Sequence, residues 1–118
     1  FVYCSFPDFR IPPGLEPICT FREAEGVTAI VEKAQADDSA VPYVFESLLI
    51  TLTVHSALDA VGFIATLAGR LADADIPCNV VAGYHHDHLF VPTRHSQQAL
   101  KVLASISAPP RPPARPAV

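Results

Sequence analysis

The sequence predicts an α+β fold in which short strands alternate with two amphipathic helices. Three observations support this class. One stretch alternates apolar and polar residues, as a half-buried strand does, and two later stretches repeat apolar residues at helical spacing. Two further apolar runs are separated by a short polar connection, which is typical of a hairpin. The predicted order of elements over residues 47–108 is therefore β-α-β-β-α.

The first β-α pair of this order lies over residues 47–74. From Ser47 to His55 the apolar residues point one way and the hydroxyl and imidazole side chains the other, which predicts a strand with one buried face. Ser56 and Asp59 form a Ser-x-x-Asp signature of a helix start. The helix is predicted from Leu58 to Ala74 and to end before Pro77, with an apolar stripe of Val61, Ile64, Ala65, Ala68, Leu71 and Ala72.

The hairpin and the last helix follow. Strands are predicted at Cys78–Tyr84 and His88–Val91, joined by His85, His86 and Asp87. Thr93 is placed to cap the next helix, whose apolar stripe is Ala99, Val102, Leu103 and Ile106. A split β-α-β unit normally closes with a further strand after its second helix, but here the sequence turns into proline. We therefore expect the closing strand to come from elsewhere.

The first 46 residues offer that strand. Phe1–Phe6, Pro17–Phe21 and Val27–Lys33 are strand candidates, whereas residues 37–43 are predicted to form a loop and no strong helix is expected. Because such short strands cannot form a core alone, we expect them to complete the antiparallel sheet of the second half. The predicted organisation is a partial module at 1–46, a domain at 47–108 and a disordered Pro-rich tail at 109–118. Within that tail, residues 110–115 fit a Pro-x-x-Pro-x-Arg pattern, although a solvated end is the simpler interpretation.

Composition excludes several classes of protein. Half of the 118 residues are hydrophobic, which argues against a disordered chain, and no apolar run reaches the roughly 20 residues of a membrane span. A net charge of −4 with 8 basic residues does not favour a nucleic-acid partner. Three cysteines without Cys-x-x-Cys spacing predict reduced thiols and a cytoplasmic location. The start at Phe1 suggests a fragment or a trimmed product.

Two blocks of sequence resemble a known family. The blocks are Leu52-Thr53-Val54-His55-Ser56-Ala57-Leu58-Asp59-Ala60-Val61-Gly62 and Cys78 to Pro92, and residues 20–28 match the N-terminal part of the same group. They resemble the ACT domain, a regulatory ligand-binding module of ferredoxin-like architecture, and in particular a small stand-alone bacterial and fungal group related to the ACT domains of the CASTOR arginine sensors. The chain departs from enzyme-linked ACT domains in having Asp59-Ala60-Val61-Gly62 in place of Asp-x-Pro-Gly. We expect no attached catalytic domain, in which case the resemblance implies a regulated target on another chain.

The turn from the first strand into the helix is the predicted ligand site. Amide groups in the first turn of a helix lack partners and suit a carboxylate, and Gly62 would permit a close approach. The resemblance implies a ligand between this turn and the second strand of an adjoining module. The predicted ligand-binding residues are His55, Ser56, Leu58, Asp59, Val61, Gly62, Asn79, Val80 and Val81. Alternatively, Ser56 only caps the helix and Gly62 only allows helix packing.

The histidine-rich connection allows a second interpretation. His85, His86 and His88 with Asp87 are residue types that bind zinc or nickel. In an extended strand, however, His86 and His88 share a face and His85 points away, so a polar hairpin tip or an interface contribution is the favoured interpretation. No metal and no other cofactor is predicted. A Ser-His-Asp catalytic arrangement of Ser56, His55 and Asp59 is also rejected, because a capping serine already uses its oxygen.

The function predicted from these features is non-catalytic. We expect a regulatory module that binds a small metabolite, most consistent with an amino acid, near Ser56 and passes that state to a partner protein or to a second copy in a homodimer. The alternatives are a dimerisation or scaffold module without a ligand and, less favoured, a metal-binding protein that uses residues 85–88.

Overall fold

Two units make up the chain. A computed structural model describes residues 1–53 and 61–106 and divides the chain after Ser47, so that unit 1 is Phe1–Ser47 and unit 2 begins at Leu48. Each unit has its own three-stranded sheet and at least one helix. The α+β class and the ferredoxin-like architecture predicted from the sequence are confirmed.

Unit 1 contains the three predicted strands. They are β1 (Val2–Phe6), β2 (Cys19–Glu23) and β3 (Gly26–Val31), and the sheet order is β1-β3-β2 with antiparallel pairing throughout. One face of this sheet forms the core of the unit, because alternate residues of β1 and β3 are buried together. That core contains Val2, Cys4, Phe6, Leu15, Ala29, Val31 and Ala36.

A short helix follows β3, in a region where no strong helix is expected from the sequence. This helix, α1, spans Lys33–Asp38 and buries Ala36 against the sheet. Its six residues are too few to give a clear helical repeat in the sequence, so the pattern alone does not reveal it. The predicted loop at 37–43 is therefore helical at its start.

The segment before unit 2 closes one edge of the first sheet. Tyr3 and Val44 exchange two backbone hydrogen bonds of 2.9 Å, and Phe1 and Ser47 exchange two of 2.8 Å. The intervening Phe45 has a left-handed φ of 59°, which fits a bulge of one extra residue on that segment. The first strands thus form a sheet of their own, which differs from the expectation that they complete the sheet of the second half.

The sheet of unit 2 has the order β4-β6-β5. Its strands are β4 (Ser47–Thr51), β5 (Asn79–Ala82) and β6 (Asp87–Pro92). The predicted hairpin is confirmed: β5 pairs antiparallel with β6, with Asn79 opposite Phe90 and Ala82 opposite Asp87. The Gly83 amide donates to the His86 carbonyl at 2.9 Å and closes the connection. The predicted strand residues 54 and 55 lie outside the described residues.

The second helix, α2, spans Phe63–Asp73 and starts later than the pattern predicts. Its buried residues are Leu67 and Leu71, whereas Ala65 and Ala72, both assigned to the apolar stripe, are exposed. The predicted apolar stripe contains several alanines, and because alanine is common on both faces of a helix, the sequence does not determine which face of α2 is buried. The predicted start at 58–60 lies outside the described residues.

Helix α2 ends at Asp73, before Pro77. Asp75 takes a left-handed φ of 59°, its amide donates to Ala72, and the amide of Ile76 donates to Leu71, both at 2.9 Å. These bonds form a Schellman motif, and the accompanying apolar contact is made by Leu71 and Ile76 in one core cluster. Pro77 thus follows a helix that the backbone has already terminated.

The last helix, α3, spans Ser96–Ala104 and follows a 3-10 turn at Thr93–His95. Ala99 is buried, and Val102 and Leu103 pack on the same core, as predicted. Thr93 makes no capping hydrogen bond, so the predicted cap is wrong: the helix begins three residues later, with His95 at the cap position. No helix in the described part of the chain is long and apolar enough to cross a membrane.

A charged cluster on α1 predicts a pH dependence of stability. Lys33 Nζ lies 2.9 Å from Asp37 Oδ2, and the Tyr43 hydroxyl donates to Asp37 Oδ1 at 2.8 Å. Both bonds favour the ionised carboxylate and hold the pKa of Asp37 below its ordinary value, Lys33 having the larger effect. The Asp37 hydrogen bond raises the pKa values of Lys33 and of Tyr43.

We expect Asp37→Asn to destabilise unit 1 most between about pH 4 and pH 10. Because the pKa of Asp37 is lower in the folded than in the unfolded state, its ionised carboxylate stabilises the fold at pH values above the unfolded-state pKa. This contribution is lost as the pH falls through the lower folded-state pKa. The raised pKa values of Lys33 and Tyr43 add stability that is lost as pH rises through them. Urea unfolding at pH 7 and pH 3 measures the effect, and Asp38→Asn is the matched control on the same helix. An equal difference between Asp37→Asn and the unmodified protein at both pH values would contradict this assignment.

Candidate functional site

The predicted site residues divide into two groups. His55, Ser56, Leu58 and Asp59 lie outside the described residues. The other predicted residues, Val61, Gly62, Asn79, Val80 and Val81, belong to the described part of unit 2. The described part of the candidate site therefore consists of the residues that follow the turn and of strand β5.

Gly62 immediately precedes α2 and adopts a left-handed φ of 89°. The sequence identified this glycine but placed it inside the helix, where it would have cost about 1 kcal/mol relative to alanine. Its position outside the helix removes that cost, and the left-handed conformation explains why a glycine is suited to it. No described atom outside the neighbouring residues lies within 4 Å of the place where a Cβ of residue 62 would stand.

The N-terminus of α2 has no described side-chain cap. Its first turn contains no acidic residue, and the cap position makes no side-chain hydrogen bond. The amide and the hydroxyl of Thr66, one turn into the helix, both donate to the Gly62 carbonyl at 3.0 Å. Val61 is 98% exposed, so it faces solvent and does not join the predicted apolar stripe. Among residues 1–53 and 61–106, no side chain therefore caps the positive end of this helix.

Strand β5 presents its predicted residues on different faces. Val80 packs against the core of unit 2 together with Leu89, its partner in β6. Asn79 and Val81 point to the opposite face, because neighbouring residues of a strand alternate. Asn79 is exposed, whereas Val80 and Val81 are half-buried. Asn79 is thus the polar side chain of this strand that is available to a ligand, and Val80 serves the core.

The histidines of the hairpin are spread over different environments. His88 lies in β6, and its Nδ1 is 2.9 Å from the Thr51 hydroxyl of β4. His85 lies in the connection, where its ring meets that of Tyr84 edge-on at 4.8 Å. Asp87 is buried at the start of β6. Within residues 1–53 and 61–106, no group of three or more His, Cys, Asp or Glu side chains is arranged to hold a metal ion.

The three cysteines are all free thiols. Cys4 is buried in the core of unit 1, while Cys19 and Cys78 are partly buried. Burial raises the pKa values of Cys4 and Cys78, which disfavours the reactive thiolate form. These two cysteines therefore have the properties of core residues.

A cavity beside the predicted turn was not anticipated from the sequence. It has a volume of about 310 Å³ and opens among β4, α2 and α3. Thr53 and Phe63, which stand on either side of the turn, both line it. The other lining residues are Ile50, Thr51, Leu52, Leu67, Leu100, Leu103, Ala104 and Ile106. Sequence patterns identify each wall separately, but they do not show that three elements leave a gap between them.

Comparison with known proteins identifies the family. Two models of the ACT domain match the chain, one over residues 1–47 and the other over residues 44–105. The chain therefore belongs to the ACT-domain family, a class of generally regulatory modules that bind small ligands.

A solved structure is similar over most of the chain. It is the crystal structure of a Vibrio cholerae protein of unknown function, described as a possible transport protein. The two are 44% identical with a TM-score of 0.76, and the match covers 87% of this chain and 80% of the other. No curated protein matches the chain.

Proposed function

We propose that this ACT-domain protein binds an amino acid at the turn between β4 and α2 and regulates a partner protein through that binding. The observation that carries the proposal is the N-terminus of α2, where Gly62 has a left-handed backbone and no side chain among the described residues caps the helix. Helix N-termini favour carboxylates because their amide groups are unpartnered and the helix dipole is positive there. An amino acid supplies that carboxylate.

The predicted turn residues complete this proposed site. His55, Ser56, Leu58 and Asp59 connect β4 to Gly62 and bring hydroxyl, imidazole and carboxylate groups to the same region of the sequence. Asn79 offers an amide that can accept from an α-amino group or donate to a carboxylate. The proposal assigns no catalytic role to any of them.

A homodimer would bring Asn79 to the turn of a second copy. Strand β5 lies at an edge of the sheet of unit 2, and Asn79 begins it. An edge strand offers backbone groups to another chain. We assign the protein to the group related to the CASTOR-type ACT domains on the blocks from Leu52 to Gly62 and from Cys78 to Pro92. The free thiols are consistent with the proposed cytoplasmic location.

The proposed domain organisation follows the sequence. We assign residues 1–46 to a partial ACT-like module, 47–108 to the ACT domain and 109–118 to a Pro-rich tail. The ACT-domain matches over 1–47 and 44–105 and the division after Ser47 support the first boundary.

Two glycines of the same region give a matched pair for mutation. Gly62→Ala forces a Cβ onto a left-handed backbone, which we expect to cost about 1–2 kcal/mol and to weaken binding at the turn. Gly69→Ala adds the same methyl group inside α2, where no described atom outside the helix backbone lies within 4 Å, which we expect to stabilise by about 0.5–1 kcal/mol and leave binding unchanged. Urea unfolding and titration calorimetry measure both effects. Equal losses of binding in the two variants would contradict the site.

A screen of the twenty common amino acids tests the function itself. We expect at least one to raise the melting temperature at millimolar concentration, since ligand at 100 times its Kd adds about 2.7 kcal/mol. Gly69→Ala serves as the folded control and Gly62→Ala as the site variant. A protein that forms dimers of unchanged mass but responds to none of the amino acids would be a scaffold module, and the proposal would be wrong.

A further inference from the structure

The pairing along the edge of β1 stops halfway along the strand. Tyr3 and Val44 exchange two backbone bonds of 2.9 Å. Since alternate residues of a strand direct their backbone groups to the same edge, the amide and carbonyl of Ser5 point where those of Tyr3 do. The antiparallel register brings Pro42 opposite Ser5, and proline has no amide hydrogen to donate. Within residues 1–53 and 61–106, no backbone bond joins Ser5 to Pro42, so this part of the edge can accept a further strand residue.

A pocket of about 400 Å³ lies at this position and belongs to unit 1 alone. It is lined by residues 3–5 of β1, Thr28 of β3 and residues 42–44. Two of the lining residues are tyrosines, Tyr3 and Tyr43, and the Tyr3 ring meets the Phe45 ring edge-on at 5.6 Å. Grooves with aromatic walls bind Pro-rich segments in the polyproline conformation. The pocket therefore has the size and the walls for a short Pro-rich peptide.

Two carboxylates are hydrogen-bonded to lining residues of this pocket. The Thr28 hydroxyl donates to Glu23 Oε1. The Tyr43 hydroxyl donates to Asp37 Oδ1 at 2.8 Å. Glu23 and Asp37 lie on different elements, so that negative charge is present at two places beside the pocket. A basic side chain on a bound peptide would find a partner at either of them.

Nearby basic side chains do not cancel this negative charge. Lys33 Nζ lies 2.9 Å from Asp37 and 3.9 Å from Glu46, so one cation is shared by two anions. The Arg22 guanidinium stands over the Phe9 ring at 4.4 Å. Residues 1–47 contain eight acidic and three basic side chains. Unit 1 thus attracts positively charged partners.

The Pro-rich tail of this chain has the matching composition. Residues 107–118 lie outside the described residues, and their sequence contains five prolines, two arginines and no acidic residue. Arg111 stands between two prolines. It can therefore offer its own amide and carbonyl to Ser5, while its neighbours have no amide hydrogen to leave unpaired.

We propose that the pocket beside Ser5 is a peptide-binding site for the tail of this protein, residues 107–118. The prolines of the tail pack on Tyr3 and Tyr43, and its arginines pair with the carboxylates of Glu23 and Asp37. The occupant is a basic Pro-rich peptide bound in unit 1. The inference does not depend on the proposed function, which concerns unit 2.

Fluorescence anisotropy with a labelled peptide tests the proposal. The peptide has the sequence of residues 107–118 with blocked ends, and the receptor is the full chain carrying Arg111→Gln and Arg115→Gln, so that its own tail competes weakly. We expect saturable binding that weakens between about 50 mM and about 500 mM salt, because the charge pairs are screened. A peptide with both arginines changed to glutamine should bind about tenfold more weakly, since it loses two exposed charge pairs. Absence of binding at millimolar peptide, or equal binding of the two peptides, would overturn the proposal and leave the proposed function untouched.

Two variants that differ only in position locate the bound peptide. Val44 is 69% exposed and lines the pocket, so Val44→Lys places a cation in its wall and is expected to weaken binding at least about tenfold. Ile18 is 53% exposed in the same unit and does not line the pocket, so Ile18→Lys is the matched control. Circular dichroism confirms that both variants fold. Equal effects of the two substitutions would show that the peptide responds only to the net charge of unit 1, and the pocket assignment would be wrong.

A second matched pair tests the role of the carboxylates. Glu23→Gln removes the charge bonded to Thr28 and is expected to weaken binding about two- to fivefold, the range of an exposed charge pair. Glu25→Gln makes the same charge change two residues further along the chain, at an exposed residue that does not line the pocket, and should have a smaller effect. An effect of Glu25→Gln as large as that of Glu23→Gln would contradict the proposed pairing.

Discussion

Replacing Gly26 by alanine is expected to destabilise unit 1 by roughly 3–5 kcal/mol, combining backbone strain with steric overlap. Gly26 begins β3 with a φ of 146°, which side chains rarely adopt. A Cβ there would lie 2.5 Å from the Phe6 carbonyl oxygen and 2.8 Å from Pro7 Cα. Both obstacles are backbone atoms at the end of β1, and the pairing of Phe6 with Val27 holds that end against β3.

A second glycine of unit 1 separates the cost of backbone strain from the cost of steric overlap. Gly14 also has a positive φ, 96°, but the nearest atom to its added Cβ is the Ser39 hydroxyl at 3.7 Å. Gly14→Ala therefore tests conformational strain alone and is expected to cost about 1–2 kcal/mol. Chemical denaturation followed by circular dichroism measures both variants. A loss for Gly26→Ala no larger than that for Gly14→Ala would show that the end of β1 moves aside.

Replacing Leu71 by alanine is expected to cost roughly 2–5 kcal/mol of the stability of unit 2. Leu71 is 0% exposed and joins Ile76, Leu89, Val91 and Ala99 in one apolar cluster between helix and sheet. The substitution removes apolar area and leaves a cavity that close-packed neighbours fill only partly.

Leu100→Ala is the matched control for Leu71→Ala. Leu100 lies on α3 and is 49% exposed, so its truncation should cost less than about 1 kcal/mol. Urea unfolding midpoints with unchanged slopes give the two free energies. If the losses were equal, the cluster around Leu71 would not be the main core of unit 2. Leu71→Val gives a smaller cavity and keeps the comparison possible if the alanine variant does not fold.

Local patterns in the sequence predict much of unit 2. The hairpin is confirmed, and Ala99, Val102 and Leu103 of the predicted α3 stripe pack on the core, because each pattern depends on residues close in sequence whose polarity alternates or repeats clearly. Ile106, the fourth predicted residue of the stripe, lies after the end of the helix at Ala104. The buried face of α2 is not predicted correctly, because the alanines of this helix fit an apolar stripe as well as Leu67 does. Thr93 has the side chain of a cap, but the chain makes a 3-10 turn there before α3 begins.

The candidate site was predictable only in part. The sequence identified Gly62, but the reason for this glycine is a left-handed backbone outside the helix, which no periodicity reveals. Val80 packs against the core and Asn79 lies on the opposite face of β5, so these two predicted ligand residues point to different sides of the sheet, and their role as ligand contacts stays a prediction. The cavity depends on the distance between three elements, and a sequence pattern has no access to that distance. The pairing of residues 44–47 with β1 was missed because it joins positions more than 40 residues apart.

The two edges of the first sheet are protected from aggregation in different ways. On one side, Val44 pairs with Tyr3 and Ser47 pairs with Phe1, so these backbone groups are not offered to other molecules. On the other side, β2 is an edge with Phe21 69% exposed, and the charged Arg22 and Glu23 stand directly after it. Charges at an exposed edge discourage strand addition by a passing chain. We therefore expect the solubility of unit 1 to depend on Arg22 and Glu23 at one edge and on the pairing of Val44 and Ser47 at the other.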